Sequence, residues 1–226
     1  MRHLSLFLFV LAFTFQPVFA HESWEKDPVY LEKTALPIKT AIAPPPKAAS
    51  AEDQKDMQAL VAAQAHRSEQ DCKRAESEVN VTLESFFGPP WGPLTTNEAQ
   101  KWSPFFEKIR TDAEYFAREV KSQWSRPRPF VENLKLNPCV RREKSNSYPS
   151  GHATISRVFS RVLSMMDPKR KGLFEKRANQ IGEDRVLAGV HHPSDIEAGT
   201  KLGDQVFLAL MKNSAFTKEL ASQTAK

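Results

Sequence analysis

Three separated blocks of the sequence hold the side-chain types that binding of a phosphate group requires. The first has Lys121 and, after six residues, Arg128-Pro129; the second is Pro149-Ser150-Gly151-His152; the third has Arg185, His191 and Asp195. Arginine presents a fork of N–H donors that matches two phosphate oxygens, and lysine supplies a point of positive charge. Each block alone occurs by chance, so the prediction of an anion site rests on the three blocks together.

Ser150 and Gly151 are expected to open a helix, because the apolar residues that follow them recur at helical spacing. The free N–H groups and the dipole at a helix N-terminus favour a bound anion. Glycine suits this place because a Cβ would obstruct close approach of the backbone to the phosphate. Ser150 and Gly151 are therefore predicted phosphate-binding residues.

In their order and spacing, the three blocks resemble the signature of the type 2 phosphatidic acid phosphatase superfamily. The family pattern is Lys-x6-Arg-Pro, Pro-Ser-Gly-His and Ser-Arg-x5-His-x3-Asp, and ten of its eleven fixed letters are present here. The stretch from Ser147 to His152, with an apolar N-terminus and a Pro-rich segment before the domain, is most similar to the bacterial class A nonspecific acid phosphatases. The resemblance covers about residues 44–226 and is clearest over 121–201. It implies an all-α, single-domain helical bundle of the phosphatase and haloperoxidase type.

The resemblance also implies an activity. It indicates an exported acid phosphatase of broad substrate range that hydrolyses small phosphomonoesters and releases inorganic phosphate, with no cofactor. His191 would attack phosphorus to give a phosphohistidine, and His152 would protonate the leaving alcohol and then activate water. Asp195 would accept from the other ring nitrogen of His191 and fix its tautomer. Lys121, Arg128 and Arg185 would bind the phosphate oxygens. The two histidines and Asp195 are also common metal ligands, but three nearby cations disfavour a divalent ion, so no metal is predicted.

Asp184 stands where the family pattern has serine. A serine hydroxyl can donate to a phosphate oxygen, whereas an ionised carboxylate only accepts and repels the anion. Three outcomes stay open: Asp184 turns outward and pairs with a neighbouring base, it is protonated at low pH and donates as serine would, or it reduces catalysis. On this reasoning we expect Asp184→Ser to raise turnover more at neutral than at acid pH.

Two other functions remain alternatives. If Asp184 has reduced catalysis, the chain is a catalytically weak phosphate-binding or phosphoester-binding protein. The second alternative is a vanadate-dependent haloperoxidase, because that family resembles the same anion site and vanadate mimics a five-coordinate phosphoryl group. At 226 residues the chain is short for that family.

Composition argues against a nucleic-acid-binding module. The chain has 32 Lys+Arg against 27 Asp+Glu, a formal charge of only +5, and its bases are interspersed with acids. The length indicates one domain with tails, and the low count of 8 Gly favours helices.

The first twenty residues are predicted to be a signal peptide. Arg2 and His3 precede an apolar stretch from Leu4 to Phe15, and the cleavage point is expected near Ala20. The stretch is too short to span a membrane, and no later stretch is apolar enough. The mature chain is therefore expected in the periplasm or outside the cell.

The mature chain divides into an arm and a helical domain. Residues 21–50 are rich in proline and predict an extended N-terminal arm, which could wrap around a partner subunit in a homo-oligomer. Residues 51–226 are predicted as the helical phosphatase domain. Within it, helices are expected over 51–79 as one or two, then 97–124, 150–166, 169–188 and 193–211, with a helix-breaking segment at 86–93 and a loop at 125–149.

Cys72 and Cys139 are the two cysteines of the chain. In an exported protein an even count permits a disulfide. The sequence cannot place the two Cβ atoms close together, so two buried thiols remain the alternative.

Overall fold

The computed structural model describes residues 26–224, which form nine α-helices and no strand. The helices are α1 Ala51–His66, α2 Glu69–Ser77, α3 Leu83–Phe87, α4 Thr96–Lys121, α5 Pro129–Glu132, α6 Gly151–Met166, α7 Lys171–Leu187, α8 Pro193–Leu210 and α9 Ser214–Thr224. The predicted all-α fold is confirmed. The predicted signal peptide and its cleavage point lie outside the described residues.

Short side chains at the helix starts explain most boundaries. Ser50, Ser68, Thr82, Thr95 and Ser150 each accept a hydrogen bond from the backbone N–H three residues on. This contact satisfies one of the donors that a helix N-terminus leaves free. α5 and α8 begin instead with a proline, which has no N–H to satisfy.

The stretch 51–79, expected as one or two helices, forms two. Four details of the predicted helices were wrong. The long helix expected over 97–124 ends at Lys121. The predicted loop 125–149 contains α5, which begins at a proline. The segment 86–93, predicted to break helices, begins with the last two residues of α3, and both are buried phenylalanines. α9 was not predicted, although Phe216 and Leu220 lie four residues apart and are both buried.

α6 lies at the centre of the core and packs against α4, α7 and α8. Aromatic residues of α4 are buried in this core, among them Phe105, Phe106 and Phe116. Two glycines of α8 allow close approach to α6. A Cβ on Gly199 would lie 2.5 Å from the carbonyl oxygen of Ser150. The packing of α8 on α6 therefore sets the position of the residues that open α6.

Residues 26–50 form no helix and lie against the helices of their own chain. Four apolar side chains from this segment are buried in the main core: Leu31, Leu36, Ala41 and Ile42. The carboxylate of Asp112 on α4 accepts from the backbone N–H groups of Val29, Tyr30 and Leu31. The segment therefore contributes to the core, while its division from the domain and its contact with a partner subunit stay predictions.

Cys72 and Cys139 form a disulfide with Cα atoms 5.8 Å apart. The bond joins α2 to the segment that follows α5, which resolves the alternative that the sequence left open. Within residues 26–224, no helix is both long and apolar enough to cross a membrane.

Candidate active site

A cavity of about 510 Å³ opens where α4, α6 and the connections around α2, α5 and α8 meet. Six of the residues that the sequence singled out line it: Lys121, Arg128, Gly151, His152, Arg185 and His191. Ser150 and Asp195 lie directly behind this surface and are fully buried. The three sequence blocks thus meet at one site, with three cations and two imidazoles.

His191 lies between a carboxylate and a guanidinium. Its Nδ1 is 3.2 Å from Oδ2 of Asp195, and its Nε2 is 3.0 Å from Nη1 of Arg128. Because a guanidinium only donates, Nε2 accepts and the ring hydrogen belongs on Nδ1. Burial, followed by the charge of Arg128, lowers the pKa of His191 to about 3. The ring is therefore neutral, with a lone pair on Nε2.

Asp195 lies in the first turn of α8 and accepts from three sides in addition to His191. Ser147 Oγ donates to it at 2.5 Å, the backbone N–H of His192 at 2.8 Å and Nη1 of Arg126 at 2.9 Å. Burial opposes its ionisation, but the hydrogen bond from His191 and the charge of Arg126 outweigh burial and hold the pKa of Asp195 below its usual range. Asp195 is therefore an anion fixed in one orientation.

Arg126 is buried and joins Asp195 to α1. Its Nη1 donates to Ser194 Oγ at 2.6 Å as well as to Asp195, and its Nη2 donates to Asp53 Oδ1 at 2.9 Å and to Asp56 Oδ2 at 2.8 Å. Sequence reasoning missed this residue. The only signal was its place two residues before Arg128, in the run Arg-Pro-Arg-Pro.

Lys121 ends α4 and points at the connection before α6. Its Nζ donates to the carbonyl oxygens of Asn146, Ser147 and Pro149 at 2.8, 3.2 and 2.6 Å. Burial, with repulsion from Arg128, lowers the pKa of Lys121 to about 7. Lys121 therefore both holds the segment that leads into α6 and supplies a positive charge that titrates near neutrality.

Arg128 is held by backbone and hydroxyl oxygens. Nε and Nη2 donate to the carbonyl and hydroxyl oxygens of Ser145 at 2.9 and 3.0 Å, and Nη1 donates to the carbonyl of Val190 at 2.9 Å. Burial lowers its pKa to about 10, so the guanidinium stays charged in neutral and acid solution. This orientation places the cation against Nε2 of His191.

Arg185 is 2% exposed and is held from α2 and the residue after it. Its Nη2 donates to the carbonyl oxygen of Ala75 and to Oε2 of Glu78, each at 2.5 Å. Its Nε has no hydrogen-bond partner within residues 26–224. Glu78 also contacts Arg177 at 2.8 Å, and burial raises the pKa of Glu78 to about 7 against the attraction of Arg185. Sequence reasoning missed Glu78, whose partners lie about a hundred residues away.

The start of α6 brings two further predicted residues to the cavity. A Cβ on Gly151 would meet no protein atom within 4 Å, so the space beside its backbone opens into the cavity. His152 donates from Nε2 to the carbonyl of Glu78 at 3.1 Å, since a carbonyl only accepts. Burial, followed by the charge of Arg185, holds the pKa of His152 well below its ordinary value. Ser150 Oγ caps the helix, so its contact with phosphate stays a prediction.

Asp184 faces away from the cavity. Its two carboxylate oxygens accept from Nε and Nη2 of Arg74 at 2.8 and 2.7 Å, and the residue is 1% exposed. It does pair with a base, which was one of the three expected outcomes, but it does so inside the protein and not toward solvent. Because Arg74 neutralises this carboxylate, the reason for expecting Asp184→Ser to raise turnover no longer applies.

Residues 113–217, which hold all the predicted site residues, match the family model described as the PAP2 superfamily. They form a PAP2 superfamily domain. The chain is also 32% identical over 162 residues to the non-specific acid phosphatase of Salmonella typhi. That alignment covers 66% of this chain and 63% of the relative, so the chain spans less than two thirds of the relative's length.

Two solved structures share the fold of the PAP2 domain. A bacterial vanadium-dependent iodoperoxidase superposes with a TM-score of 0.58 at 17% identity, over 79% of this chain and 53% of that one. A transmembrane PAP2-type phosphatidylglycerolphosphate phosphatase from Bacillus subtilis gives 0.54 at 21% identity, over 76% of this chain and 89% of that one. The two superpositions support the predicted fold. At these sequence identities they support the fold alone.

Proposed function

We propose that this chain is an acid phosphatase of the class A type that hydrolyses phosphomonoesters through a phosphohistidine at His191. The observation that carries the proposal is the neutral imidazole of His191, which has its Nδ1 hydrogen directed at Asp195 and its Nε2 lone pair in a cavity with Arg128. The similarity to the non-specific acid phosphatase of Salmonella typhi supports the same activity.

In the first step, the phosphoryl oxygens take over the hydrogen bond that Arg128 donates to Nε2 of His191 in the free site. The freed lone pair of Nε2 attacks phosphorus, and the bond from phosphorus to the ester oxygen breaks. Charge on the equatorial oxygens is stabilised by Lys121, Arg128 and Arg185, which are fixed before the substrate arrives. Nδ1 keeps its hydrogen, so the phosphorylated ring is a cation that the Asp195 carboxylate stabilises. The alcohol leaves with a proton that Nδ1 of His152 supplies.

In the second step, the neutral His152 takes a proton from water, the water oxygen attacks phosphorus, and the bond from phosphorus to Nε2 of His191 breaks. Inorganic phosphate leaves, His191 is again neutral and His152 is again protonated. The low pKa of His152 in the free site comes from burial and from the positive charge of Arg185. The ester, largely a monoanion in acid solution, brings the proton that Nδ1 of His152 takes up on binding, because the phosphoryl dianion that remains offsets the charge of Arg185 and raises the pKa of His152.

The activity is expected to be highest in acid solution. kcat/KM follows the ionisation of the free enzyme. The lower limit is near pH 3, where His191 becomes protonated and loses its lone pair. The upper limit is near pH 7, where Lys121 loses its charge.

The proposal includes export and independence of metals. Export would use the signal peptide predicted over residues 1–20, followed by residence in the periplasm or secretion. Metal independence is supported by the three cations in the cavity, which repel a divalent ion and themselves supply the charge that a metal would supply. The expected substrates are small phosphomonoesters, and no nucleic-acid partner is expected. Assembly into a homo-oligomer stays a prediction.

Hydrolysis of a chromogenic aryl phosphate by the purified chain, from about pH 4 to 8 and with chelator present, tests this function. We expect chelator-resistant turnover that is lost in His191→Ala and kept in His66→Ala, which changes an exposed histidine outside the cavity. Turnover that survives in His191→Ala, or that chelator abolishes, would overturn the proposal. Binding of phosphate without turnover at any pH would identify a binding protein instead.

A further inference from the structure

We infer that the part of the cavity that receives the leaving group selects apolar or aromatic alcohols over polyols; this rests on the proposed function. Beyond the residues that hold phosphate, six aliphatic side chains line the cavity, alongside charged residues and the polar residues Asn80, Thr82 and Ser145. The six aliphatic residues are Val79, Val81, Ala117, Val140, Ile155 and Val190. We call this set the aliphatic wall.

The aliphatic wall lies on the leaving-group side of the site. Val79 directly follows Glu78, whose carbonyl accepts from Nε2 of His152. Ile155 lies three residues after His152 on α6, so the two side chains share a face of the helix. His152 is the group proposed to protonate the ester oxygen. We therefore place the carbon atoms attached to that oxygen in the part of the cavity that Val79 and Ile155 line together with His152.

The other charged residues that line the cavity are in ion pairs, and one of them, Arg118, pairs with Glu119 outside the lining. Arg110 donates to Glu107 Oε2 at 2.8 Å and to Glu114 Oε1 at 2.5 Å. Arg141 donates to Glu143 Oε1 at 2.9 Å from Nε. Each ion pair satisfies part of the charge and hydrogen-bonding capacity of its members, so these groups gain less from binding a sugar hydroxyl. Hydroxyls placed on the aliphatic wall would lose their hydrogen bonds to water without replacement.

The cavity has room for such a leaving group. Its volume of about 510 Å³ lies in the range that encloses a drug-sized molecule and exceeds what a phosphoryl group fills. An alkyl chain or an aryl ring placed beside the valines gains from removal of its surface from water. A polyol in the same space gains nothing from contact with the valines. We therefore expect a higher kcat/KM for esters of apolar alcohols than for esters of polyols with the same number of carbon atoms.

A pair of six-carbon substrates tests the inference. n-Hexyl phosphate and glucose 6-phosphate are both esters of primary alcohols, so their leaving oxygens are of similar reactivity. We expect kcat/KM to be at least about 10-fold higher for n-hexyl phosphate, since a single methylene group in an apolar pocket is worth that factor. Equal values, or a higher value for glucose 6-phosphate, would overturn the inference.

Substitutions in the aliphatic wall test whether it causes the preference for n-hexyl phosphate. Val79→Thr with Val81→Thr keeps side-chain shape and adds hydroxyls, so the ratio of the two kcat/KM values should fall several-fold while inhibition by inorganic phosphate stays the same. Val131→Thr is the control, because Val131 is 58% exposed and lies outside the cavity lining. An unchanged ratio in the double variant would refute the role of the wall.

Failure of the proposed function would be distinguishable from failure of this inference. If neither ester nor the aryl phosphate is hydrolysed, the proposed function fails. Calorimetric binding of the two six-carbon esters then decides the inference: tighter binding of n-hexyl phosphate supports it, and equal or tighter binding of glucose 6-phosphate overturns it.

Discussion

At the scale of single residues, His191 acts through contacts that reach well beyond the cavity. Nδ1 contacts Asp195, Asp195 contacts Arg126, and Arg126 contacts Asp53 and Asp56 on α1. These contacts are buried, apart from the partly buried contact with Asp53, and they join groups of opposite charge or matched polarity. The orientation of the proposed nucleophile therefore depends on an arginine that never reaches the cavity.

Arg126→Gln tests that dependence. Loss of the guanidinium removes a positive charge that favours ionised Asp195 and leaves Asp53 and Asp56 without their partner. We expect kcat to fall on the order of 100-fold through misplacement of His191. The acid limb of kcat/KM should also move upward from about pH 3, because removal of a nearby cation makes His191 easier to protonate.

The control for Arg126→Gln is Arg142→Gln, which changes an exposed arginine outside the cavity lining. A folded Arg126→Gln protein with unchanged kcat and an unmoved acid limb would show that Arg126 does not position Asp195. A lower melting temperature alone would be consistent with a purely structural role, so the pH profile is the decisive measurement.

Lys121→Arg tests the alkaline limit. Burial lowers the pKa of Lys121 to about 7, so its charge is present below that pH and lost above it. Arginine stays charged throughout, so kcat/KM in the variant should no longer fall near pH 7, although its maximum should be lower because arginine cannot reproduce the three carbonyl contacts. A limb that stays near pH 7 would contradict this assignment and indicate Glu78, whose pKa is also about 7.

At the scale of helices, the contact between α6 and α8 brings the second and third sequence blocks together. The backbone N–H of Ser150 at the start of α6 donates to the carbonyl of Asp195 on α8 at 3.0 Å. Gly199 and Gly203 allow this approach, since a Cβ on either would lie within 2.6 Å of a carbonyl oxygen of the facing backbone. The spacing of the two helices therefore fixes the distance between His152 and His191.

Gly199→Ala is expected to disturb this contact. The added Cβ would lie 2.5 Å from the carbonyl of Ser150, which is backbone and cannot rotate away. We expect a loss of about 1–3 kcal/mol in the free energy of unfolding and a fall in kcat/KM. Gly172→Ala on α7 is the matched control, because its Cβ would meet nothing within 4 Å, and it should be neutral or stabilising. Similar denaturant midpoints for the two variants would contradict this account.

Much of the helical structure could be predicted from the sequence, because the residues that begin a helix act on neighbours a few positions away. Thr95 and Ser150 cap their helices through residues three positions on, and the apolar spacing of α4, α6 and α8 is visible in the chain. The three blocks gave most of the site. Arg126 and Glu78 could not be predicted, because their partners lie 68 to 107 residues away and only the packing of α1, α2, α7 and α8 brings them together.

At the scale of the whole molecule, the segment before α1 completes the core. Asp112 is fully buried, and its carboxylate accepts from three successive backbone N–H groups of this segment at 2.7 to 3.1 Å. Asp112 on α4 thus holds in place a stretch of chain that has no regular secondary structure. None of these three contacts involves a cation.

Asp112→Asn should therefore destabilise the fold. An amide keeps one acceptor and turns an NH₂ donor toward N–H groups that need acceptors, which costs about 1–3 kcal/mol. Thermal unfolding would show a lower melting temperature, whereas Asp27→Asn, at a side chain that is 70% exposed, should leave it unchanged. Equal melting temperatures for Asp112→Asn and the parent protein would mean that the segment is held by its apolar side chains alone.

The central claim is that phosphorus is transferred to Nε2 of His191, and trapping the phosphorylated enzyme tests it most directly. The protein would be mixed with an aryl phosphate for a fraction of a turnover, denatured in alkali, where phosphohistidine survives, and digested for mass spectrometry. We predict one added phosphoryl group on the peptide that contains His191, and none on that peptide when Arg128→Ala or heat-denatured protein is used. Steady turnover of the ester with no phosphoryl group on His191 at any mixing time, or with the group on another residue, would contradict the account.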